Sequence, residues 1–282
     1  VKWRKDREGK LYIVATPIGN LDDITYRAVK VLNTVDIIAA EDTRHTLKLL
    51  NHLNISKPLI SYYKETEKTK AKMIINKIKD GKDVAVVSDA GTPGISDPGE
   101  EVIKEAINEN ICIIPIPGAC AAINSLICSG LDTKQFLFVG FLSTKKKEKR
   151  EKLESLKNNI YTMIFYEAPH KIEDTLRSML EILGDREISI GREITKIHEE
   201  FIRGKISKII EQIESRGEMV IIVEGSKKSE EDMEKESRNE MSLEEHYKFY
   251  EKQGCDKKEI IKKIAKDRNI PKNEIYKEFI NK

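Results

Sequence analysis

Short β-branched and apolar runs alternate with longer segments of helical periodicity through the first 116 positions of the chain. LYIVAT (11–16), DIIAA (36–40), PLISY (58–62), DVAVVS (83–88) and ICIIPI (111–116) predict strands, and the segments near 24–34, 43–53, 65–80 and 98–109 predict helices between them. This βαβ rhythm predicts a mostly parallel sheet covered on both faces. After a helix expected at about 119–130, the runs FLFVGF, YTMIFYE, REISIGR, HEEFIRG and EMVIIVEG extend the pattern. HEEFIRG follows REISIGR without room for a crossover helix, so antiparallel pairs and a mixed sheet are expected there.

The pattern then breaks. SKKSEEDMEKESRNEM (226–241) is almost wholly polar and charged and reads as a flexible linker. Beyond it, DKKEIIKKIAKDRNIPKNEIYKEFINK holds two short helical patterns separated by a turn. Asp256 and Glu259 have capping-box spacing, Pro271 suits a first helical turn, and Ile260, Ile261, Ile264, Ile275 and Phe279 form an apolar stripe. The expected class is α/β: an N-terminal α/β domain at 1–117, a second α/β domain at 118–225, a charged linker at 226–241 and a small C-terminal helical domain at 242–282.

A length of 282 residues agrees with more than one domain. Fifty basic and 48 acidic residues nearly cancel, so net charge argues for neither a nucleic-acid nor a membrane partner, and any basic surface must be local. The segment ICIIPIPGACAAINSLICSGL (111–131) has the length of a membrane span, but Pro115, Pro117 and Gly118 break it, so a strand, a turn and a buried helix are expected instead. The first ten residues carry charge without an apolar stretch behind them, which argues against a secretory signal. Cys112, Cys120, Cys128 and Cys255 form no CxxC pair and suit free thiols in a reducing cytoplasm.

Candidate chemistry gathers where strands end. VVSDAGTPGISDPG (86–99) places glycines and prolines after the fourth strand, at the edge where open α/β sheets bind ligands. A Walker loop would need Gly-Lys-Ser or Gly-Lys-Thr; here Gly91 is followed by Thr92 and Pro93, with no lysine. Asp89 and Asp97 supply negative charge, which suits a neutral or cationic ligand better than a triphosphate. TPIGNLDD (16–23) and PIPGACAA (115–122) are similar loops after the first and fifth strands. Each is also compatible with a plain turn; together they suggest one cleft.

Two polar clusters also end strands. AAEDTRHT (39–46) offers Glu41, Asp42, Arg44 and His45, although Asp42 or Thr43 can equally cap the next helix. IFYEAPHK (164–171) offers Glu167, His170 and Lys171. Neither His45 nor His170 has metal-ligand spacing, and no metal site is expected. TKKKEKREK (144–152) is the densest basic segment; Glu148 and Glu151 interrupt it, so it reads either as a solvated helix face or as an RNA contact.

Taken in order, TPIGNLDDIT, AAEDTR, SDAGTPGISDPG, PIPGACAAI, FYEAPHK, REITK and GEMVIIVEG resemble the bacterial 16S ribosomal RNA (cytidine-2'-O)-methyltransferases, a branch of the tetrapyrrole methylase superfamily. The likeness covers about residues 10 to 225, and less specifically the tail. It implies two α/β domains with S-adenosyl-L-methionine in a cleft between them, a cytoplasmic homodimer, and a substrate in 16S ribosomal RNA within the small ribosomal subunit. It also implies donor contacts from Pro17 and Gly19, from Asp89, Ala90, Gly91 and Thr92, from Pro117, Gly118, Ala119 and Ala121, and from Gly217, Met219 and Val220. Ala119 and Cys120 stand where porphyrin-modifying relatives often have Ser or Thr, and Lys171 stands where arginine is common.

The reaction so implied is attack by a ribose 2'-hydroxyl of a decoding-centre cytidine on a sulfonium methyl group. Asp42 and Glu167 are the candidate bases, while Arg44 and Lys171 would hold RNA. Two alternatives stay open: a porphyrinoid C-methyltransferase on the same scaffold, and a C-terminal helix pair that binds nucleic acid through Lys257, Lys258, Lys262 and Lys263 or serves only in packing or dimerisation.

Overall fold

The computed structural model describes residues 8–228, 235 and 237–280. These fall into two compact units, one within Val1–Glu154 and Thr162–Glu224, the other within Ser155–Tyr161 and Gly225–Lys282.

The larger unit carries two five-stranded sheets. In the first, β1 (Leu11–Val14), β2 (Ile37–Ala40), β3 (Leu59–Ser61), β4 (Val84–Val87) and β5 (Ile113–Ile116) are all parallel, in the order β3-β2-β4-β1-β5. Both faces are buried, which is why these strands are continuously apolar. On one face Ile38, Ala40, Ala85 and Val87 pack against Ala28 and Leu32 of α1 (Tyr26–Thr34) and Leu50 of α2 (Thr43–His52). On the other, Ala39, Val84 and Val86 meet Ile74 and Ile78 of α3 (Glu67–Lys79) and Val102 and Ala106 of α4 (Glu100–Asn108). The neighbouring strands β4, β1 and the edge strand β5 are the three that precede the Pro/Gly loops.

The segment 111–131 divides as its prolines predict, into β5, a turn and the short helix α5 (Ala121–Ile127); among the described residues no helix is long and apolar enough to cross a membrane. Ala122 and Leu126 of α5 pack on Ile164, Val220 and Ile222 of the second sheet. That sheet contains β6 (Phe136–Phe141), β7 (Thr162–Glu167), β8 (Glu187–Arg192), β9 (Glu200–Lys205) and β10 (Met219–Val223) in the order β6-β7-β10-β8-β9. Only β6 and β7 are parallel, and β8 and β9 form the antiparallel pair expected from their short connection. Helices α6 (Lys146–Leu156), α7 (Ile172–Leu183) and α8 (Ile206–Ile210) complete the half. The four cysteines are free thiols.

The smaller unit holds both helices expected after Asp256 and one more before them. Its core joins Leu243–Lys252, Lys257–Arg268 and Lys272–Ile280. The additional helix starts at a capping box, Ser242 with Glu245, and buries Tyr250 and His246 rather than aliphatic residues. Asp267 accepts hydrogen bonds from Tyr250 Oη (2.5 Å) and Arg238 Nε (3.3 Å). Arg268 Nε donates to His246 Nδ1 at 3.2 Å, which leaves the proton of neutral His246 on Nε2, 3.3 Å from Asp267 Oδ2. Residues 229–234 and 236 of the expected linker, and residues 1–7 of the leading segment, lie outside the described residues; 237–240 are helical.

Candidate active site

The three Pro/Gly loops are laced to one another at the carboxyl edge of the first sheet. Thr16 and Gly91 exchange two backbone hydrogen bonds, of 2.9 and 3.1 Å, joining the first loop to the central one. Thr16 Oγ1 donates to the Ser88 carbonyl (3.2 Å), and Ser88 Oγ donates to the Gly91 carbonyl (3.2 Å). Thr92 Oγ1 donates to the Ala119 carbonyl (3.3 Å), tying in the third loop. Gly91 has φ +83°, a left-handed conformation that favours glycine. Gly118 is required for space, since a Cβ there would lie 2.9 Å from Ala15 Cβ.

Beside these loops lies a cavity of about 350 Å³, within the size range of small-molecule sites. Ile18, Ala90–Thr92 and Ile95–Asp97 line it from the first sheet's loops. Cys120 and Ala121 follow from the start of α5, and Phe141, Tyr166–Pro169, Ile194 and Glu218–Val220 from the second sheet. Its charge is uneven. Asp97 lies at the cavity wall, and its carboxyl is pushed up to about 6 by burial and by the charges of Glu41 and Asp89. Glu41 is also raised, first by burial and then by Asp89. Carboxylates crowded without a cation raise one another's pKa, and a bound cation relieves that repulsion.

Glu167 is the cavity's best-held carboxylate. It is buried, its Oε1 accepting from the Ala168 N–H (2.8 Å) and its Oε2 from Thr175 Oγ1 (2.6 Å). Each oxygen keeps further acceptor capacity. Asp42, the other candidate base, sits differently. It is the N-cap of α2, accepting from the Arg44 N–H (2.8 Å), and its two oxygens take a fork from Arg44 at 3.1 and 2.8 Å. These bonds hold its pKa far below the usual carboxylate range, where a carboxylate is a weak base. Asp42 and Arg44 do not line the cavity, so the capping alternative is the role seen for Asp42.

Of the residues expected at the site, Ala90, Gly91, Thr92, Ala121, Glu167, Met219 and Val220 meet at the cavity. Pro117, Gly118 and Ala119 instead line a neighbouring depression with Thr25 and Thr195. Asp89 is not in the lining; its Oδ1 accepts from the Asp42 N–H at 2.9 Å. Pro17, Gly19, Gly217 and Lys171 are not in the lining. Gly19 and Gly217 act as spacers: a Cβ at Gly19 would lie 2.5 Å from Lys196 Cγ, and one at Gly217 2.6 Å from Glu193 Cγ. Sequence reasoning left Ile18, Ile95, Phe141, Tyr166 and Ile194 unassigned. They are apolar or aromatic residues with no chemical signature of their own.

A family profile described as Tetrapyrrole (Corrin/Porphyrin) Methylases matches residues 10–210. The chain is 49% identical to the "Ribosomal RNA small subunit methyltransferase I" of Bacillus subtilis (strain 168), covering 96% of this chain and 94% of that one. It is 42% identical to the protein of the same name in Synechocystis sp. (strain PCC 6803), over 95% and 96% of the two chains. Among solved structures it resembles diphthine synthase, with a TM-score of 0.59, 13% identity and coverage of 77% and 90%. It also resembles uroporphyrin-III-C-methyltransferase from Thermus thermophilus, with a TM-score of 0.54, 15% identity and coverage of 76% and 94%; at such identities the likeness is one of fold. The chain belongs to the tetrapyrrole methylase family and, within it, to the methyltransferases that carry the name of these bacterial relatives.

Proposed function

We propose that this methyltransferase uses S-adenosyl-L-methionine to methylate the ribose 2'-hydroxyl of a cytidine in the decoding centre of 16S ribosomal RNA. The observation that carries the substrate is the near-full-length likeness to relatives named as small-subunit ribosomal RNA methyltransferases. The donor fits the mostly apolar cavity, where Asp97 lies at the wall and the charges of Glu41 and Asp89 add to the negative field around it. When bound, the donor supplies a methyl group on a positively charged sulfur. Ala90–Thr92, Ala121, Met219 and Val220 would hold it directly. Pro17, Gly19, Asp89, Pro117–Ala119 and Gly217 would shape and charge the surrounding loops.

In this scheme Glu167 orients the 2'-hydroxyl and takes its proton, its carboxylate kept in place by the Ala168 N–H and Thr175. Lys171, on the turn that follows β7, would meet RNA phosphate, and Arg44 would do so outside the cavity. Exposed Ile123, Ile127, Phe136 and Leu137 supply apolar surface for a homodimer. The test is Glu167→Gln, which keeps the shape and removes the base. Methyl transfer to unmethylated small ribosomal subunits should fall by about 100-fold or more, with donor affinity by calorimetry unchanged. Full activity in Glu167→Gln would remove Glu167 from the chemistry.

A further inference from the structure

The geometry points to Phe141, paired with Tyr166, as a stacking platform for the unstacked nucleobase of the RNA substrate. This inference rests on the RNA methylation proposed above. It starts from an irregularity in β6. Phe138 pairs with Ile164, but Gly140 pairs with Phe165 and Phe141 with Tyr166, so one extra residue, Val139, is inserted into the strand. Regular pairing would place Gly140 opposite Tyr166 and turn Phe141 to the other face of the sheet, because a one-residue slip reverses every side chain. The bulge instead brings Phe138 and Phe141 to the same face as Tyr166. Gly140 takes φ +73° there, and an added Cβ would meet nothing closer than 3.6 Å, so this glycine serves conformation rather than space.

Phe138 and Phe141 differ in what covers them. Phe138 packs edge-on to Tyr166, with centroids 5.2 Å apart, inside the apolar cluster under α5. Phe141 meets the same Tyr166 ring at 5.5 Å and 60°, yet it is 60% exposed and lines the cavity. A large aromatic side chain held half open at the cavity mouth has apolar surface that a flat partner can cover. Tyr166 and Glu167 both line the cavity, so a base on these rings would sit in the same cavity as the residue proposed as the base.

Charge favours a nucleic-acid base over a neutral aromatic ligand. β6 and β7 are parallel neighbours, so their carboxyl ends emerge together. One continues into Lys145, Lys146 and Lys147, the other into His170 and Lys171. The pairs Lys145–Glu148 (2.7 Å) and Lys147–Glu151 (3.9 Å) are exposed, and such pairs yield readily to a phosphate. Asp97, with the charges of Glu41 and Asp89 acting on it, makes the first-sheet loops acidic, whereas the aromatic strands, which also bring Glu167 to the cavity, run on into cationic segments. RNA recognition commonly stacks a splayed-out base on an aromatic ring while lysines hold the backbone.

The experiment compares the full-length protein with Phe141→Ala, Phe141→Leu and Phe141→Trp. The substrates are S-adenosyl-L-methionine and small ribosomal subunits lacking the modification. Stacking predicts that Phe141→Ala and Phe141→Leu raise the KM for subunits by about 5- to 100-fold, while Phe141→Trp restores it. Donor affinity by calorimetry and the Tm should stay within about twofold and about 2 °C of the parent. Trp3 is the chain's only tryptophan, so Phe141→Trp combined with Trp3→Phe leaves one reporter whose fluorescence should be quenched when subunits bind. Unchanged KM in Phe141→Ala, or no quenching, overturns the platform while the proposed function stands. A weaker donor affinity with unchanged KM for subunits assigns the ring to the donor and also overturns it. Absence of transfer by the parent protein overturns the proposed function itself, and the platform with it.

Discussion

Replacing Asp97 with asparagine isolates the electrostatic strain at the cavity. Burial and the neighbouring charges of Glu41 and Asp89 raise its carboxyl from 3.8 to about 6. Two pKa units correspond to about 3 kcal/mol, and because Asp97 is half-exposed, solvent screening reduces the stability cost to about 1–2 kcal/mol. The folded protein binds more protons at Asp97 than the unfolded chain does between pH 3.8 and about 6. Stability is therefore lost as pH rises through that window, and the penalty is complete above it. Asp97→Asn removes the penalty, so its Tm at pH 8 should exceed that of the parent by about 2–8 °C, with little difference at pH 4. A bound cation favours the carboxylate, so donor affinity in the parent should fall as pH drops through about 6. That dependence should flatten in Asp97→Asn. Scanning calorimetry and titration calorimetry at both pH values measure the two effects. Equal Tm differences at pH 4 and pH 8, or a donor affinity with the same pH profile in both proteins, would refute the reasoning.

Other parts of the structure carry further outcomes. Asp89→Ala should weaken donor binding about threefold to tenfold and also lower the Asp97 pKa, since Asp89 is one of the charges that raises it; unchanged affinity and an unchanged pH profile by calorimetry would contradict this. Glu67 Oε1 accepts from Tyr62 Oη (3.0 Å), the Gly99 N–H (2.8 Å) and the Glu101 N–H (3.2 Å), pinning the far end of the central loop to α3. Glu67→Ala should cost about 1–3 kcal/mol by denaturant unfolding and weaken the donor, whereas parental stability would show the anchor to be dispensable. In the helical unit, burial lowers the His246 pKa below 6.5, so the folded form binds fewer protons there and stability is lost as pH falls below 6.5. Asp267→Ala, which strips His246, Arg238 and Tyr250 of their shared acceptor, should destabilise that unit by about 2–4 kcal/mol, read from the circular dichroism of the isolated transition.

Much of the fold was legible because it is built from residues that declare their surroundings. Short β-branched runs such as DVAVVS between helical segments predict strands buried on both faces, and the short REISIGR–HEEFIRG connection leaves no room for a crossover helix. The three Pro/Gly loops suggested a cleft because each follows a parallel strand and so lies at the same edge of the sheet, while the adjacency of those strands comes only from the sheet order. The rest depends on geometry that no local pattern carries. Asp97 reads as one more acidic loop residue, and only the fold brings the charges of Glu41 and Asp89 to bear on it and buries it. Asp42 and Glu167 look alike as acidic residues at strand ends, yet one is a helix cap held by Arg44 and the other faces the cavity. The helix Leu243–Lys252 hid because its buried side includes a histidine and a tyrosine, polar enough to mask the stripe. Phe141 is the sharpest case. Alternation along FLFVGF places it on the opposite face, and only the extra residue at Val139 turns it to the cavity.

The most direct measurement gives the full chain S-adenosyl-L-methionine labelled in its methyl group, together with small ribosomal subunits lacking the modification, and maps the label. A ribose 2'-O-methyltransferase will leave it at one cytidine of 16S ribosomal RNA, in a dinucleotide that survives alkaline hydrolysis because the blocked hydroxyl cannot attack the phosphodiester. Label on a base, on protein or on no RNA at all would contradict the proposed function.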